Sequence, residues 1–244
     1  MNPIKKFIAE RKKRIEDQGN DSAFKKRSQE WAKESMNKEY VYNFEWMGRP
    51  IIQFPQDILA MQELIWKVKP DLIIETGIAH GGSIIFSASM LELIGNDGLV
   101  VGIDIDIREH NRREIENHSM FKRIELLEGS SISQDVIAQV HALAEGRDTV
   151  MVILDSMHTH DHVLQELQAY SSLVSKNSYL IVLDTFVEDL PKGYFPDRPW
   201  DVGNNPKTAV REFLKTNPEF EVDKAIENKL MITVAPEGFL KKIS

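Results

Sequence analysis

The sequence predicts an α/β fold: an open, mostly parallel sheet with helices on both faces. Three observations carry this reading. Short, nearly all-apolar runs recur between residues 72 and 184, and runs of that kind suit strands buried on both sides. Stretches of about 10–15 residues with helical spacing separate them, as in a series of strand–helix–strand units. A glycine turn, Gly77 to Ser83, follows the first run, at the sheet edge where open α/β folds hold ligands.

Residues 4–38 are highly charged, with Ile4, Phe7, Ile8 and Ile15 at broken helical spacing and Phe24, Trp31 and Met36 beyond. One or two amphipathic helices are expected there, packed on the body or on a second subunit. The cluster Arg11-Lys12-Lys13-Arg14 reads first as a solvated helix face and second as a contact for an anionic surface. Residues 40–56 read as irregular and aromatic, with Tyr40, Tyr42, Phe44, Trp46 and Phe54 around Gly48 and Pro50.

Pro55–Val68 reads as a helix with Ile58, Met61, Leu64, Ile65 and Val68 on one face. Pro55 sits in its first turn, where a missing N–H costs nothing. Strand Leu72–Glu75 then leads to helix Gly82–Ile94, strand Leu99–Asp104 to helix Arg108–Asn117, and strand Arg123–Leu127 to helix Ser133–Ala144. Strand Val150–Leu154, helix His160–Val174 and strand Tyr179–Asp184 complete the alternation. After a long loop, Thr185–Asn205, a helix Pro206–Thr216 precedes two candidate strands, Phe220–Val222 and Leu230–Val234. The connection from Asn217 to Lys229 is too short for another crossover, so an antiparallel hairpin should close a seven-stranded sheet.

Bulk properties narrow the function. The 244 residues are 42% hydrophobic and 28% charged, ordinary for a globular chain. Residues 1–40 hold 11 Lys or Arg against 7 acids, while the whole chain carries −8, so residues 41–244 carry −12. A body this acidic is a poor partner for nucleic acid, whose binding rests on neutralising phosphates. With no cysteine there are no disulfides and no Cys-ligated zinc or iron–sulfur centre, which fits a reducing compartment. The first residues lack the apolar core of a signal peptide, and no run approaches the roughly 18 apolar residues of a membrane span. A cytoplasmic protein without a membrane span is expected.

The chemistry concentrates at two strand ends. Ile73-Ile74-Glu75-Thr76-Gly77-Ile78-Ala79-His80-Gly81-Gly82-Ser83 runs from a strand through a glycine turn into a helix. The next strand ends in Asp104, whose carboxylate can take ribose hydroxyls. The G-x-G-x-x-G of a dinucleotide fold is absent, and Glu75 precedes a single glycine. Both departures favour S-adenosylmethionine (SAM), which has no pyrophosphate to seat, over NAD. A buried strand with an ordinary turn is the competing reading.

The second constellation is Asp155-Ser156-Met157-His158-Thr159-His160-Asp161-His162, after the fourth strand. Asp184 ends the next strand, so Asp155 and Asp184 should lie on adjacent tips. Two convergent carboxylates suit a hard cation such as Mg²⁺, which takes one or two carboxylates and keeps several waters. Against this, each could be a helix cap or a solvated loop acid. His158 could serve as a general base, whereas His160 and His162 read as surface or capping residues. An iron site from Asp155, His158 and His160 ranks lower, because three ligands along one turn are hard to aim at one metal.

These segments resemble the cephalosporin hydroxylase/rhamnosyl O-methyltransferase family. The likeness runs from residue 45 to 244, through Gln62–Trp66, Pro70–Gly77, Gly81–Ser83, Pro206, Phe213-Leu214, Asn217-Pro218 and Gly238–Lys241. It implies a Rossmann-like class I methyltransferase fold (residues 55–244), with residues 1–54 as a helical arm and substrate-side segment. It implies Mg²⁺-assisted transfer of the SAM methyl to a hydroxyl of a sugar or small natural product. The family's Asp-x-x-His pattern falls on Asp155 and His158, making His158 the base. Its paired Glu-Asp matches only at Asp184, since Leu183 occupies the Glu position. On this reading Glu75, Thr76, Gly77, Gly81, Gly82, Ser83, Asp104, Ser130 and Asp155 bind SAM, and Asp155 and Asp184 hold the metal. The acceptor would be covered by residues 40–54 and the loop Phe186–Asn205, where Tyr194, Phe195 and Trp200 offer stacking surfaces. A homo-oligomer is expected. The rivals are a non-haem iron hydroxylase and a SAM-binding subunit without chemistry, the latter suggested by Leu183.

Overall fold

The computed structural model describes residues 2–244. The charged N-terminus forms two helices, α1 (Pro3–Asn20) and α2 (Ser22–Asn37). Asn2 and Asp21 start them by accepting from the amides of Ile4 and Phe24. No residue of α1 is buried, whereas α2 buries Ser28, Ala32 and Ser35. The aromatic segment that reads as irregular is partly ordered, into a 3₁₀ turn (Tyr40–Asn43) and a ribbon of β1 (Glu45–Trp46) with β2 (Arg49–Pro50).

Helix α3 (Pro55–Val68) ends at Lys69, which adopts a left-handed conformation and donates its amide to Ile65. From there the alternation is β3 (Leu72–Thr76), α4 (Gly82–Ile94), β4 (Leu99–Asp104), α5 (Glu109–Glu116), β5 (Ile124–Glu128), α6 (Gln134–Ala144), β6 (Val150–Leu154), α7 (His160–Tyr170) and β7 (Tyr179–Val182). The tail adds α8 (Pro206–Phe213), β8 (Phe220–Val222), α9 (Lys224–Leu230) and β9 (Phe239–Lys242).

One seven-stranded sheet has the order β5-β4-β3-β6-β7-β9-β8. Strands β3 to β7 are parallel, and β9 runs antiparallel to both β7 and β8. The strand order reverses direction between β3 and β6, and ligands of such sheets sit beyond the strand ends at that point. Alternate strand residues feed an apolar layer on each face, with Ile73, Ile153 and Ile181 in one and Ile74, Val152 and Val182 in the other.

The closing strand is not the predicted one. Leu230 ends α9, and 231–234 run as a loop whose Val234 amide donates to the buried Asp57 carboxylate at 2.9 Å. Val234 in turn accepts from the amide of Phe186. These backbone groups are spent on α3 and the following loop, so they cannot join the ladder. After the turn at Gly238, Phe239–Lys242 pairs with β7 instead, and β8 takes the edge beyond it. The hairpin is therefore an open one, carrying α9 between its strands.

Candidate active site

A cleft of about 910 Å³ opens at the carboxyl ends of β3, β4 and β6. Its floor is the glycine turn. Gly77 has φ +79°, and a Cβ there would lie 2.0 Å from the Asp155 carbonyl oxygen. A Cβ on Gly82 would lie 2.1 Å from the Pro50 carbonyl, so glycine there lets the β2 segment cross the start of α4. Arg49 clamps the turn by donating to the His80 carbonyl (2.7 Å) and to Asn111 (3.0 Å). Asn111 donates in turn to the carbonyl of Ala79, which is held at φ +44°.

Asp104 reaches back over this turn from the tip of β4. One oxygen accepts from the amides of Ile78 (3.0 Å) and Ala79 (3.2 Å), and the other from Asp106 (3.3 Å). The predicted residues Gly77, Gly82, Ser83, Asp104, Ser130 and Asp155 all line the cleft. Thr76 and Glu75 lie just beneath it, both buried. Glu75 accepts from the Ser83 hydroxyl through one oxygen, and its other oxygen is buried without a partner. Burial pushes this carboxyl up to about 7, the hydrogen bond from Ser83 opposing the shift. Gly81 shapes the turn at φ +83° against the Ile115 side chain.

The second predicted group comes together beside it. Asp155, His158 and Asp184 each offer a ligand atom, all within 4.8 Å of one another. His158 Nε2 is 3.3 Å from Asp184 Oδ2. Asp155 is held well above the usual carboxylate range, first by burial and then by the charges of Asp184, Glu75 and Glu166. That surplus of negative charge on oxygen donors fits a hard divalent cation. Leu183 is not part of the group: at 2% exposure it packs in the apolar layer with Ile181, Val234 and Phe239.

His160 is directed elsewhere. Its Nδ1 lies 2.8 Å from the Thr208 hydroxyl and its Nε2 3.4 Å from Glu212, both in the α8 region. The iron triad Asp155/His158/His160 is thus not assembled. His162 lines the cleft and meets Ser131 at 3.1 Å. Of the aromatics proposed to cover an acceptor, Tyr42, Tyr194, Phe195 and Trp200 line the cleft. Tyr40, Phe44 and Phe54 instead stack among themselves and on Trp31, and Trp46 packs on Phe86.

Sequence reasoning missed the buried acids that support the site. Asp57, 1% exposed with one oxygen unpartnered, is pushed up to about 7 by burial, and the Asp184 charge adds to the rise. Glu166 is fully buried, accepts from Ser156 at 2.7 Å and leaves its other oxygen without a partner. Both sit at ordinary helix positions, where a carboxylate normally faces water. Arg49 was also missed, because its role depends on the ribbon that folds it over the turn.

The sheet order, the glycine turn and the cleft at the switch point define a class I methyltransferase fold. Solved structures of similar fold include the CmcI-N160 apo structure (TM-score 0.60, 20% identity, covering 83% of this chain and 77% of that one). The CmcI-D160 Mg-SAM structure is close behind (0.59, 18%, 83% and 78%). A Bacillus cereus O-methyltransferase in complex with SAH, S-adenosylhomocysteine, also matches (0.53, 16%, 80% and 81%). The chain belongs to the rhamnosyl O-methyltransferase/CmcI family, with the match spanning residues 38–243. Among curated relatives, the Rhamnosyl O-methyltransferase of Mycobacterium leprae (strain TN) is 28% identical over 214 residues, covering 85% of this chain and 89% of the relative. That of Mycobacterium tuberculosis (strain ATCC 25618 / H37Rv) is 28% identical over 216 residues, covering 85% and 83%.

Proposed function

We propose that this chain transfers the methyl group of SAM to a hydroxyl of a sugar or small natural product. The observation that carries the reading is the convergence of Asp155, His158 and Asp184 at the glycine turn, on the wall of one cleft. Family membership supports the reaction class.

Each residue has a part in this scheme. Glu75, buried beneath the turn, holds the Ser83 hydroxyl, which borders the donor's amino-acid end. Asp104 takes the ribose hydroxyls with the lone pairs that Ile78 and Ala79 leave free, and Ser130 borders the adenine. Asp155 and Asp184 would hold Mg²⁺, which takes one or two carboxylates and keeps several waters. When bound, the cation lowers the pKa of the acceptor hydroxyl.

His158 accepts the hydroxyl proton, held toward the site by Asp184 and by the edge of Trp200, 4.8 Å between ring centroids. The oxygen pair forms the new O–CH₃ bond as the S–CH₃ bond breaks, leaving SAH and a protonated His158. Neither reactant is covalently activated by the chain, so alignment in the cleft supplies much of the rate gain. The loop carrying Trp200 shields the reacting atoms from water.

Asp155→Ala tests this directly. Turnover of SAM to SAH should vanish while SAH still binds within a few-fold of wild type. Near-normal activity in the variant would refute the scheme.

A further inference from the structure

The loop between Leu190 and Asn205 places Arg198 and Trp200 on the cleft wall beside His158. The Arg198 guanidinium lies over the Trp200 ring, 5.3 Å from its centroid. Among the described residues that line the cleft, Arg198 is the one lysine or arginine, in a lining that also holds Glu39, Asp104, Asp155 and Asp184. Among the described residues it makes no ion pair, unlike Lys207 and Arg211 nearby, which engage Asp189 and Glu237.

The loop itself is well anchored. Asp201 accepts from the amides of Gly193 and Val202, and Glu188 accepts from Gly203 and Asn205. Asp201 is thus spent within the loop, whereas Asp197 is exposed and Arg198, also exposed, lies on an aromatic face with no ion pair among the described residues. An acidic cleft repels an anionic ligand everywhere except at such a cation. A guanidinium also binds carboxylate and phosphate in a planar, two-pronged geometry.

We propose that Arg198 and Trp200 form the acceptor subsite for an anionic sugar, with the pyranose ring against the indole and its carboxylate or phosphate on the guanidinium. This rests on the methyl-transfer reading and names the acceptor class for the same site. The anion is fixed one indole ring away from His158, so it selects which ring hydroxyl the imidazole meets. The acceptor is a uronic acid or a sugar phosphate, according to which anion the subsite prefers.

The test uses the full chain saturated with SAH. Saturation-transfer NMR titrations measure the affinities of methyl glucoside, glucuronic acid and glucose 1-phosphate. At least one anionic sugar should bind about 10-fold or more tighter than the neutral one. Arg198→Gln should weaken that sugar about 10–100-fold, the range for losing a charged hydrogen-bond partner, and leave SAH affinity unchanged. Arg198→Lys should recover part of the loss, and Trp200→Leu should weaken all sugars alike. Preference for glucuronic acid assigns a carboxylate, and preference for glucose 1-phosphate assigns a phosphate. Equal or absent binding of the three sugars overturns the proposal, as does a fall in SAH affinity in Arg198→Gln, which would give the guanidinium to the donor's carboxylate. If wild type fails to bind SAH yet keeps an Arg198-dependent anion preference, the donor reading fails and the subsite stands.

Discussion

Replacing Glu75 with glutamine should stabilise the ligand-free chain at pH 8 while weakening its hold on SAM. Glu75 is buried and its carboxyl is pushed from 4.5 up to about 7. A carboxylate raised in the folded state binds its proton more tightly there than in the unfolded chain. Stability therefore falls as pH climbs from about 4.5 to about 7, and the loss is complete above that. At about 1.4 kcal/mol per pH unit the charged group costs roughly 3 kcal/mol at pH 8. An amide nitrogen placed at the unpartnered oxygen costs about 1–2 kcal/mol in return. A net gain of about 1–2 kcal/mol corresponds to about 2–8 °C in Tm for a chain of this size. Asp57 loses stability in the same direction in both proteins and cancels, so the difference between them reports Glu75 together with its charge coupling to Asp155. Thermal unfolding followed by circular dichroism at pH 5 and pH 8 measures it, and calorimetric titration with SAH measures the loss of binding. The variant should gain at pH 8 and show no gain at pH 5. An equal drop in Tm at both pH values would refute the assignment of Glu75 as a strained, functional acid.

Two further changes probe the turn and the base. Gly77→Ala puts a Cβ against the Asp155 carbonyl at a left-handed position. It should lower Tm by several degrees and abolish SAH binding, and a variant that binds SAH normally would show the turn is not the donor's seat. His158→Ala should slow methyl transfer about 10²–10⁴-fold, the range for a lost general base. The variant should also lose the pH dependence of the rate, and an unchanged pH–rate profile would remove His158 from that role.

The parallel part of the fold was legible because β3, β6 and β7 are buried along their whole length and separated by helix-length segments. The strand tips place Gly77, Asp104, Asp155 and Asp184 along one sheet edge. The tail was harder. Leu230–Val234 is apolar because it ends α9 and then packs as a loop against the body, with the Val234 amide held by the side chain of Asp57. Phe239–Lys242 ends in two lysines, so half of it resembles a solvated terminus although it pairs with both neighbours. Buried acids at helix positions, such as Asp57 and Glu166, leave no trace in a sequence pattern. Their burial depends on which elements are laid over them. The same holds for Arg198, whose meaning comes from the Trp200 face beneath it and the acids that line the same cleft.

The central claim concerns what occupies the cleft between the glycine turn and the Asp155–His158–Asp184 group. A crystal structure of the chain grown with SAH and magnesium tests it most directly. SAH should lie along Gly77–Ser83 with its ribose on Asp104, its sulfur facing His158, and an ion between Asp155 and Asp184. SAH bound elsewhere, or a cleft filled by the chain's own side chains under saturating SAH, would contradict the account.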